Sequence, residues 1–173
     1  INYTYLTASS GAGFVAGKSE SNVGLHANGD ISGFTYNAAV DFQFGKKFEN
    51  HGEEIKAKGY AALLGLGYQW DWAGLRFAGA YGSGGDLEEK KEKSFDTFLG
   101  NDQHYTLVYE YRVASAAGTV NTGISNTTYL NLDLDVAPMK DLKASLDGYI
   151  IRASKTIGDV SKDAGCEIDG RVS

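Results

Sequence analysis

The chain has 173 residues, among them 23 glycines, 11 tyrosines, 8 phenylalanines and one proline, and its formal net charge is −6. This composition favours a single all-β domain, and the acidic balance disfavours nucleic acid as a partner. The sequence contains no run of about eighteen apolar residues, which excludes a transmembrane helix, and the single cysteine excludes an internal disulfide framework.

The first third of the chain predicts three strands. Residues 1–7 and 23–27 alternate apolar and polar side chains, and a Gly/Ser-rich connection over residues 8–20 separates them. The run Asn28-Gly29-Asp30 predicts a tight hairpin turn between the second and third strands. Residues 46–55 are rich in charge and predict a loop.

The third strand, residues 34–44, is the clearest element of the sequence. Apolar and polar residues alternate over its whole length, with aromatic residues at both ends of the apolar face. This pattern is typical of a tilted strand that crosses a bilayer in a closed barrel, with lipid on the apolar side and a polar lumen on the other. The apolar set is Phe34, Tyr36, Ala38, Val40, Phe42 and Phe44.

The rest of the chain repeats this pattern. Strands are predicted over residues 57–70, 75–81, 128–136, 142–150 and 166–172, which brings the total to about eight. Turns at 28–30, 71–74 and 138–141 are short, whereas the other connections are long. Short turns alternate with long loops in bacterial outer-membrane barrels. The sequence therefore predicts an all-β fold, an antiparallel up-and-down transmembrane β-barrel.

Strand direction restricts the long stretch between residues 82 and 126. The strand at 75–81 and the strand at 128–136 must run in opposite directions, so an even number of crossings, most simply zero, lies between them. Residues 105–113 resemble a strand, yet this parity predicts that they do not form an ordinary spanning strand. We expect one barrel domain over residues 1–173, with residues 82–126 as a long external loop or a segment folded into the lumen.

Three sequence features together resemble the alginate export family of outer-membrane barrels. They are the Ser94-Phe-Asp-Thr-Phe98 run, the Pro138-Met-Lys-Asp-Leu142 turn, and the Leu-x-Ala-x-Leu-Asp-x-Tyr strand that follows. The matching spacing extends over residues 22–172. The chain departs from the family at Leu99-Gly100, where members often carry proline, and it does not end in a terminal aromatic strand.

The resemblance implies that the chain is part of a larger barrel in the bacterial outer membrane, in contact with lipid and lipopolysaccharide. It also implies passive export or diffusion of polar or anionic solutes, including a polysaccharide such as alginate. We expect no cofactor.

The alternation assigns a set of polar side chains to the lumen. A channel for a polyanion needs cationic groups there, and the set contains both signs with acids in excess. These charges either pair with each other or form a selectivity ladder, and both interpretations remain open. The pore-lining candidates are His26, Asp41, Gln43, Arg76, Arg112, Asp133, Asp135, Lys143, Asp147, Glu167, Asp169 and Arg171.

Other functional classes have weaker support in the sequence. His104 beside Asp102 is the only hint of a catalytic pair, so an enzyme is not expected. Asp133 and Asp135 share a face but lack a fixed third ligand, so no metal site is expected. Two alternatives to a channel remain: a barrel that only anchors loops or acts as an adhesin, and a soluble lipocalin-like barrel with its apolar face inside.

Overall fold

The computed structural model describes residues 1–8, 18–50, 53–85, 91–96, 124–156 and 161–173. Within these ranges every regular element is a β-strand, and no helix is long and apolar enough to cross a membrane. The strands are β1 (Asn2–Ala8), β2 (Lys18–Ile31), β3 (Phe34–Asn50), β4 (Glu53–Ala57), β5 (Tyr60–Gln69), β6 (Ala73–Gly82), β7 (Lys91–Glu92), β8 (Thr127–Met139), β9 (Leu142–Ala153) and β10 (Asp163–Val172).

Eight of these strands form one continuous antiparallel ladder in the order β1-β2-β3-β5-β6-β8-β9-β10. Each corresponds to a predicted strand, so the predicted all-β antiparallel fold is confirmed. The ladder is not closed within the described residues, because β1 pairs only with β2 and β10 only with β9. The two-residue β7 pairs in parallel with β4 beside this ladder.

The turn between β2 and β3 differs from the prediction. Asn28-Gly29-Asp30 lies inside β2, paired with β3, and the chain reverses at Ser32 and Gly33 instead. Both turn residues have positive φ, 54° and 85°, as a two-residue type I′ hairpin requires. Gly29 lies beneath the ring of Tyr36 on the neighbouring strand, where a Cβ would come within 2.6 Å of the Tyr36 hydroxyl. Its absent side chain makes room for an aromatic ring rather than a turn.

The predicted loop at residues 46–55 is also wrong. β3 continues to Asn50 and pairs with β4, so most of these charged residues belong to a hairpin that extends beyond β5. The register shifts between Lys46 and Phe48, and Gly45 has a φ of 118°, so a bulge bends the strand here. The sequence did not predict this hairpin because its residues are mostly charged or polar and do not continue the apolar alternation of residues 34–44.

The end of β8 and the start of β10 also differ from the prediction. Pro138 lies within the last residues of β8 rather than in the turn, and the register shift between Val136 and Met139 removes the need for a ladder donor there. β10 begins at Asp163, earlier than predicted, because a bulge at Gly165, with a φ of 134°, allows pairing to extend past Cys166.

β6 and β8 are direct antiparallel neighbours, with Ala73 opposite Val136 and Tyr81 opposite Thr128. This adjacency is the simplest arrangement that the parity of strand directions allows. Residues 105–113 and most of the long connection lie outside the described residues, so the assignment of residues 82–126 stays a prediction. The three short turns, β2–β3, β5–β6 and β8–β9, lie at one end of the ladder, and the longer connections lie at the other.

The two faces of the ladder have opposite chemistry. The large apolar side chains are exposed on one face; Leu25, Leu64 and Leu132, for example, are 57%, 53% and 55% exposed. The other face is polar and much more buried, with Gln43 at 4% and Asp147 at 6%. This is the reverse of the usual soluble arrangement, in which apolar side chains are inside.

Candidate functional site

The polar face of the ladder collects the predicted pore-lining residues. Eleven of the twelve lie on strands at positions of matching parity, and Arg112 lies outside the described residues. The face has two parts that differ in what lies above them. We call the polar face of β6, β8, β9 and β10 the open half, and that of β2, β3 and β4 the covered half.

A row of charged residues crosses the open half at right angles to the strands. Arg76 lies opposite Asp133, Asp133 opposite Asp147, and Asp147 opposite Asp169, on four consecutive strands. The Arg76 Nη2 atom donates to Asp133 Oδ2 at 3.1 Å. Like charges directly opposite each other destabilise a sheet. The alignment of three carboxylates therefore lowers the stability of the sheet, and strand packing alone does not require it.

The open half borders a cavity of about 430 Å³. Carboxylates and guanidinium groups dominate its charged lining, with three acids and two arginines. The acids outnumber the bases, so the cavity attracts cations more than anions. The charged lining residues are Asp133, Asp135, Asp147, Arg76 and Arg171.

Two tyrosines bound this cavity on the side away from the short turns. The rings of Tyr129 and Tyr149 meet edge to face with their centroids 6.2 Å apart. They form a small buried cluster with Ala80 and Ile151, on the polar face of the sheet. This cluster is the main apolar feature of that face among the described residues, and Asp147 lies beside it on β9.

The covered half lies beneath a short piece of the long connection, residues 92–96, which we call the docked segment. The ammonium group of Lys18 donates a hydrogen bond to one carboxylate oxygen of Asp96, and Lys47 Nζ lies 3.5 Å from the other. Lys47 Nζ also donates to the carbonyl and hydroxyl of Ser94, each at 2.8 Å. Lys18 contacts Glu20 as well, at 3.1 Å, so two lysines and two acids form one balanced cluster.

Gln43 contributes a further pair of bonds to the docked segment. The Asp96 amide donates to Gln43 Oε1 at 2.7 Å, and Gln43 Nε2 donates back to the Asp96 carbonyl. The side-chain amide thereby binds the backbone of Asp96 as a neighbouring strand would. Gln43 was predicted to line a pore, and the structure places it at the predicted face but beneath this segment.

Two small residues allow the docked segment to approach the sheet closely. A Cβ on Gly59 would lie 2.8 Å from both the Phe95 Cα and the Ser94 carbonyl, so only glycine fits there without a shift of backbone. Ser83 is 2% exposed. Its carbonyl accepts a hydrogen bond from the Phe95 amide, and its hydroxyl donates one to the backbone carbonyl of Lys93. The segment is therefore held by backbone as well as by charge.

The electrostatics of Asp96 follow from these contacts. Burial by itself would raise the pKa of its carboxyl group, but the charges and hydrogen bonds of Lys47 and Lys18 outweigh burial. The pKa of Asp96 consequently lies below its ordinary value of 3.8. Asp96 is ionised at neutral pH and remains available to both lysines.

The other candidates have separate environments. His26 Nε2 lies 3.2 Å from Asp41 Oδ2, and Asn22 donates to the other oxygen of that carboxylate at 2.7 Å. Lys143 is exposed near the short-turn end, and Glu167 is half-buried on β10 opposite Tyr149. These residues share a face with the charged row but do not join it.

Sequence reasoning missed Lys18, Glu20 and Lys47, which hold the docked segment. Lys18 and Glu20 lie in a stretch that predicts a connection, and Lys47 lies in the predicted loop. Their role depends on Asp96, which is distant in sequence, and no local pattern signals such a partner.

Among the described residues, no group of three or more His, Cys, Asp or Glu side chains is arranged to hold a metal ion. Aligned strands place the three aspartates side by side without directing them to a common point. No protein-family model and no curated protein matches this chain.

Proposed function

We propose that this sheet is part of the wall of an outer-membrane β-barrel channel. In this proposal the apolar face contacts lipid, and the polar face lines a water-filled lumen through which polar solutes diffuse. The observation that carries the proposal is the exposure of the large apolar side chains on one face, while charged side chains occupy the sheltered face. A sheet exposed to lipid requires this arrangement.

The order of side chains along the apolar face supports the membrane orientation. On β3 and β5, aliphatic residues form a central band and aromatic residues lie at both ends of it. Phe34 and Phe44 mark the two ends on β3, about 33 Å apart along the strand at ~3.3 Å per residue. A tilt of ~40° reduces this to about 25 Å, the height of the apolar band of a transmembrane barrel.

The aromatic residues also have the geometry expected of interfacial girdles. At the short-turn end, the rings of Tyr68 and Trp70 meet edge to face at 4.9 Å. At the opposite end, Tyr60 and Tyr81 stack at 5.6 Å, and their hydroxyl groups lie 3.5 Å apart. Amphipathic rings of this kind favour the boundary between hydrocarbon and water.

The edges of the sheet favour a larger barrel. Unpaired strand edges are not tolerated in hydrocarbon because their amide and carbonyl groups lack partners. The alternation continues to both edges, with Tyr3 and Tyr5 exposed on β1 and Ile168 and Val172 exposed on β10. We infer that further strands complete the barrel, in the bacterial outer membrane and in contact with lipopolysaccharide.

The solute is constrained by the charges of the open half. Carboxylates outnumber guanidinium groups around the cavity, which favours small cations and neutral polar solutes over polyanions. The resemblance to alginate exporters adds an anionic polysaccharide to the candidates. The two candidates predict opposite ion selectivity, so one measurement separates them.

The test is single-channel conductance of the full-length protein in a planar bilayer with a salt gradient across it. We expect discrete conductance steps and a reversal potential that indicates cation preference. Anion preference would favour the polyanion, with Arg76, Lys143 and Arg171 as its contacts. Silent insertion would replace the channel with an anchoring or adhesin barrel.

A second measurement tests the membrane orientation directly. The only two tryptophans, Trp70 and Trp72, lie in the β5–β6 turn. We expect lipids brominated near the headgroup to quench their fluorescence more than lipids brominated near the chain end. A monodisperse protein in plain buffer, with no quenching by either lipid, would instead establish the soluble lipocalin-like alternative.

A further inference from the structure

The docked segment is held more firmly than a surface loop needs to be. The side chains of Lys18 and Lys47 are only 15% and 10% exposed, and that of Glu20 is fully buried. Holding long charged side chains in one arrangement costs conformational entropy and desolvation. The cost is offset because each charge has an opposite neighbour and Gln43 binds the segment's backbone.

The position of the segment has a consequence for the lumen. Residues 94–96 lie over side chains that point to the polar face: Lys18, Gln43 and Lys47 all contact them directly. Phe95 is 8% exposed, and its Cα lies directly above Gly59. Any passage along this face is therefore reduced on the side of β2–β4, and the cavity beside Arg76 and Asp133 remains on the other side.

We propose that residues 94–96 form a fixed constriction of the lumen, locked to the barrel wall by the Lys18–Asp96–Lys47 ion pairs. The inference rests on the proposed channel function, because only a channel has a lumen to constrict. The lock determines the pore size, and solutes pass along the open half with its charged row. Opening the lock widens the pore without altering the strands that form its wall.

The test combines a structural and a functional measurement on Asp96→Asn. In a Cys166→Ser background, Phe95→Cys reports on docking through its rate of reaction with a thiol reagent at neutral pH, because position 95 is buried when the segment is docked and its side chain makes none of the ion pairs or hydrogen bonds of the lock. Loss of the charge-assisted bonds shifts the local opening equilibrium, so we expect labelling to be about tenfold faster or more. In planar bilayers the same substitution increases the single-channel conductance.

The matched control is Asp71→Asn, which removes an exposed carboxylate from the β5–β6 turn and leaves both readings unchanged. Lys47→Gln is the second variant, for use if Asp96→Asn folds poorly. It removes the positive charge of Lys47 and keeps a side chain that can donate hydrogen bonds. The heat-dependent shift of the folded barrel on a gel identifies properly folded samples of each variant.

The outcomes separate the lock from the channel. Unchanged labelling in folded Asp96→Asn and Lys47→Gln would overturn the lock. Faster labelling with unchanged conductance would overturn the constriction while the channel stands. Faster labelling in a protein that never conducts would establish the lock, and would overturn both the channel and the constriction that depends on it.

Discussion

The two halves of the polar face start from the same sequence pattern and reach different states. In the open half, Asp133, Asp147 and Asp169 stand in a row and border a cavity. In the covered half, Gln43 and its neighbours lie beneath residues 92–96. The apolar face behind both halves is exposed, with phenylalanine prominent on β3 and leucine on β8.

The difference shows what strand alternation determines. It determines which side chains point to the polar face, because that depends only on the pleat. Whether those side chains meet solvent or another piece of the chain depends on the long connection, which returns from β6 to the covered half. The surroundings of the polar face are therefore determined by the connections as well as by the strands.

The largest expected effect tests whether the two halves share the proposed lipid-facing surface. Leu25→Arg on β2 and Leu132→Arg on β8 each place a charge in the apolar band. Each is expected to lower the free energy of unfolding by about 2–4 kcal/mol. Asp135→Arg, on the polar face of β8, is the control and changes it much less. Urea titration in bilayers measures all three, and a clear inequality between the leucine variants would mean that the two halves face different environments.

The next effect is specific to the covered half. Lys18→Met leaves the fully buried Glu20 carboxylate without its nearest cation, and also removes one partner of Asp96. We expect a loss of about 2–3 kcal/mol in unfolding free energy, somewhat below a wholly buried pair because Lys47 remains. Lys56→Met, at an exposed position of β4, is the matched control. Equal stabilities of the two variants would contradict the balanced cluster.

Acid titration examines the same half without a substitution. Because the pKa of Asp96 is lowered in the folded state, its contribution to docking is complete above the unfolded-state value near 3.8 and is lost as pH falls through the lower folded-state value. The side-chain amide resonances of Gln43, followed by NMR in micelles, report on docking. We expect them to keep their neutral-pH positions down to about pH 4.

The groups that face Asp96 are Lys18 and Glu20 from β2 and Lys47 from β3, and Glu92 lies within the segment itself. Burial raises the pKa of Glu20 above its ordinary value of 4.5, so Glu20 is protonated before Asp96 as pH falls; Asp96→Asn lacks only the Asp96 step and separates the two. Release of Gln43 well above pH 4 in the unaltered protein would contradict the lowered pKa.

The smallest effect on stability belongs to the open half. Arg76 is half exposed, so Arg76→Met is expected to cost no more than about 1 kcal/mol. Its effect on selectivity is larger, since the carboxylate row loses its cation and the reversal potential moves towards cation preference. Arg152→Met is the control, because the Arg152–Asp163 pair at 2.9 Å lies near the long-loop end, away from the cavity. Identical reversal potentials would remove the charged row from the pathway.

Much of this fold was predictable from the sequence because strand alternation is a local signal. The faces of residues 34–44 follow from their order, and the neighbouring strands follow the same rule. The signal failed where two local cues competed: Asn28-Gly29-Asp30 has the composition of a turn, yet Tyr36 needs the space above Gly29. Ser32-Gly33 is the less distinctive turn sequence, and the register of Ile31 with Phe34 selects it.

The site was predictable in part for the same reason. Arg76, Asp133 and Asp147 were assigned to the polar face, but their alignment in one row depends on strand register, which alternation alone does not give. Lys47 and Lys18 were not candidates because their partner Asp96 belongs to a distant connection. Charge in a predicted loop carries no information about its partner.

The direct pairing of β6 with β8 has a consequence for how the chain can be divided. The amide of Asn126 donates to the carbonyl of Ser83 at 3.3 Å, so both ends of the long connection meet at one point. Lengthening a loop whose ends already meet costs little, about 0.6 kcal/mol for each doubling. The part of the connection that follows the docked segment is thus a natural insertion point for a foreign sequence, and a place where the gene could be split into two halves that reassemble.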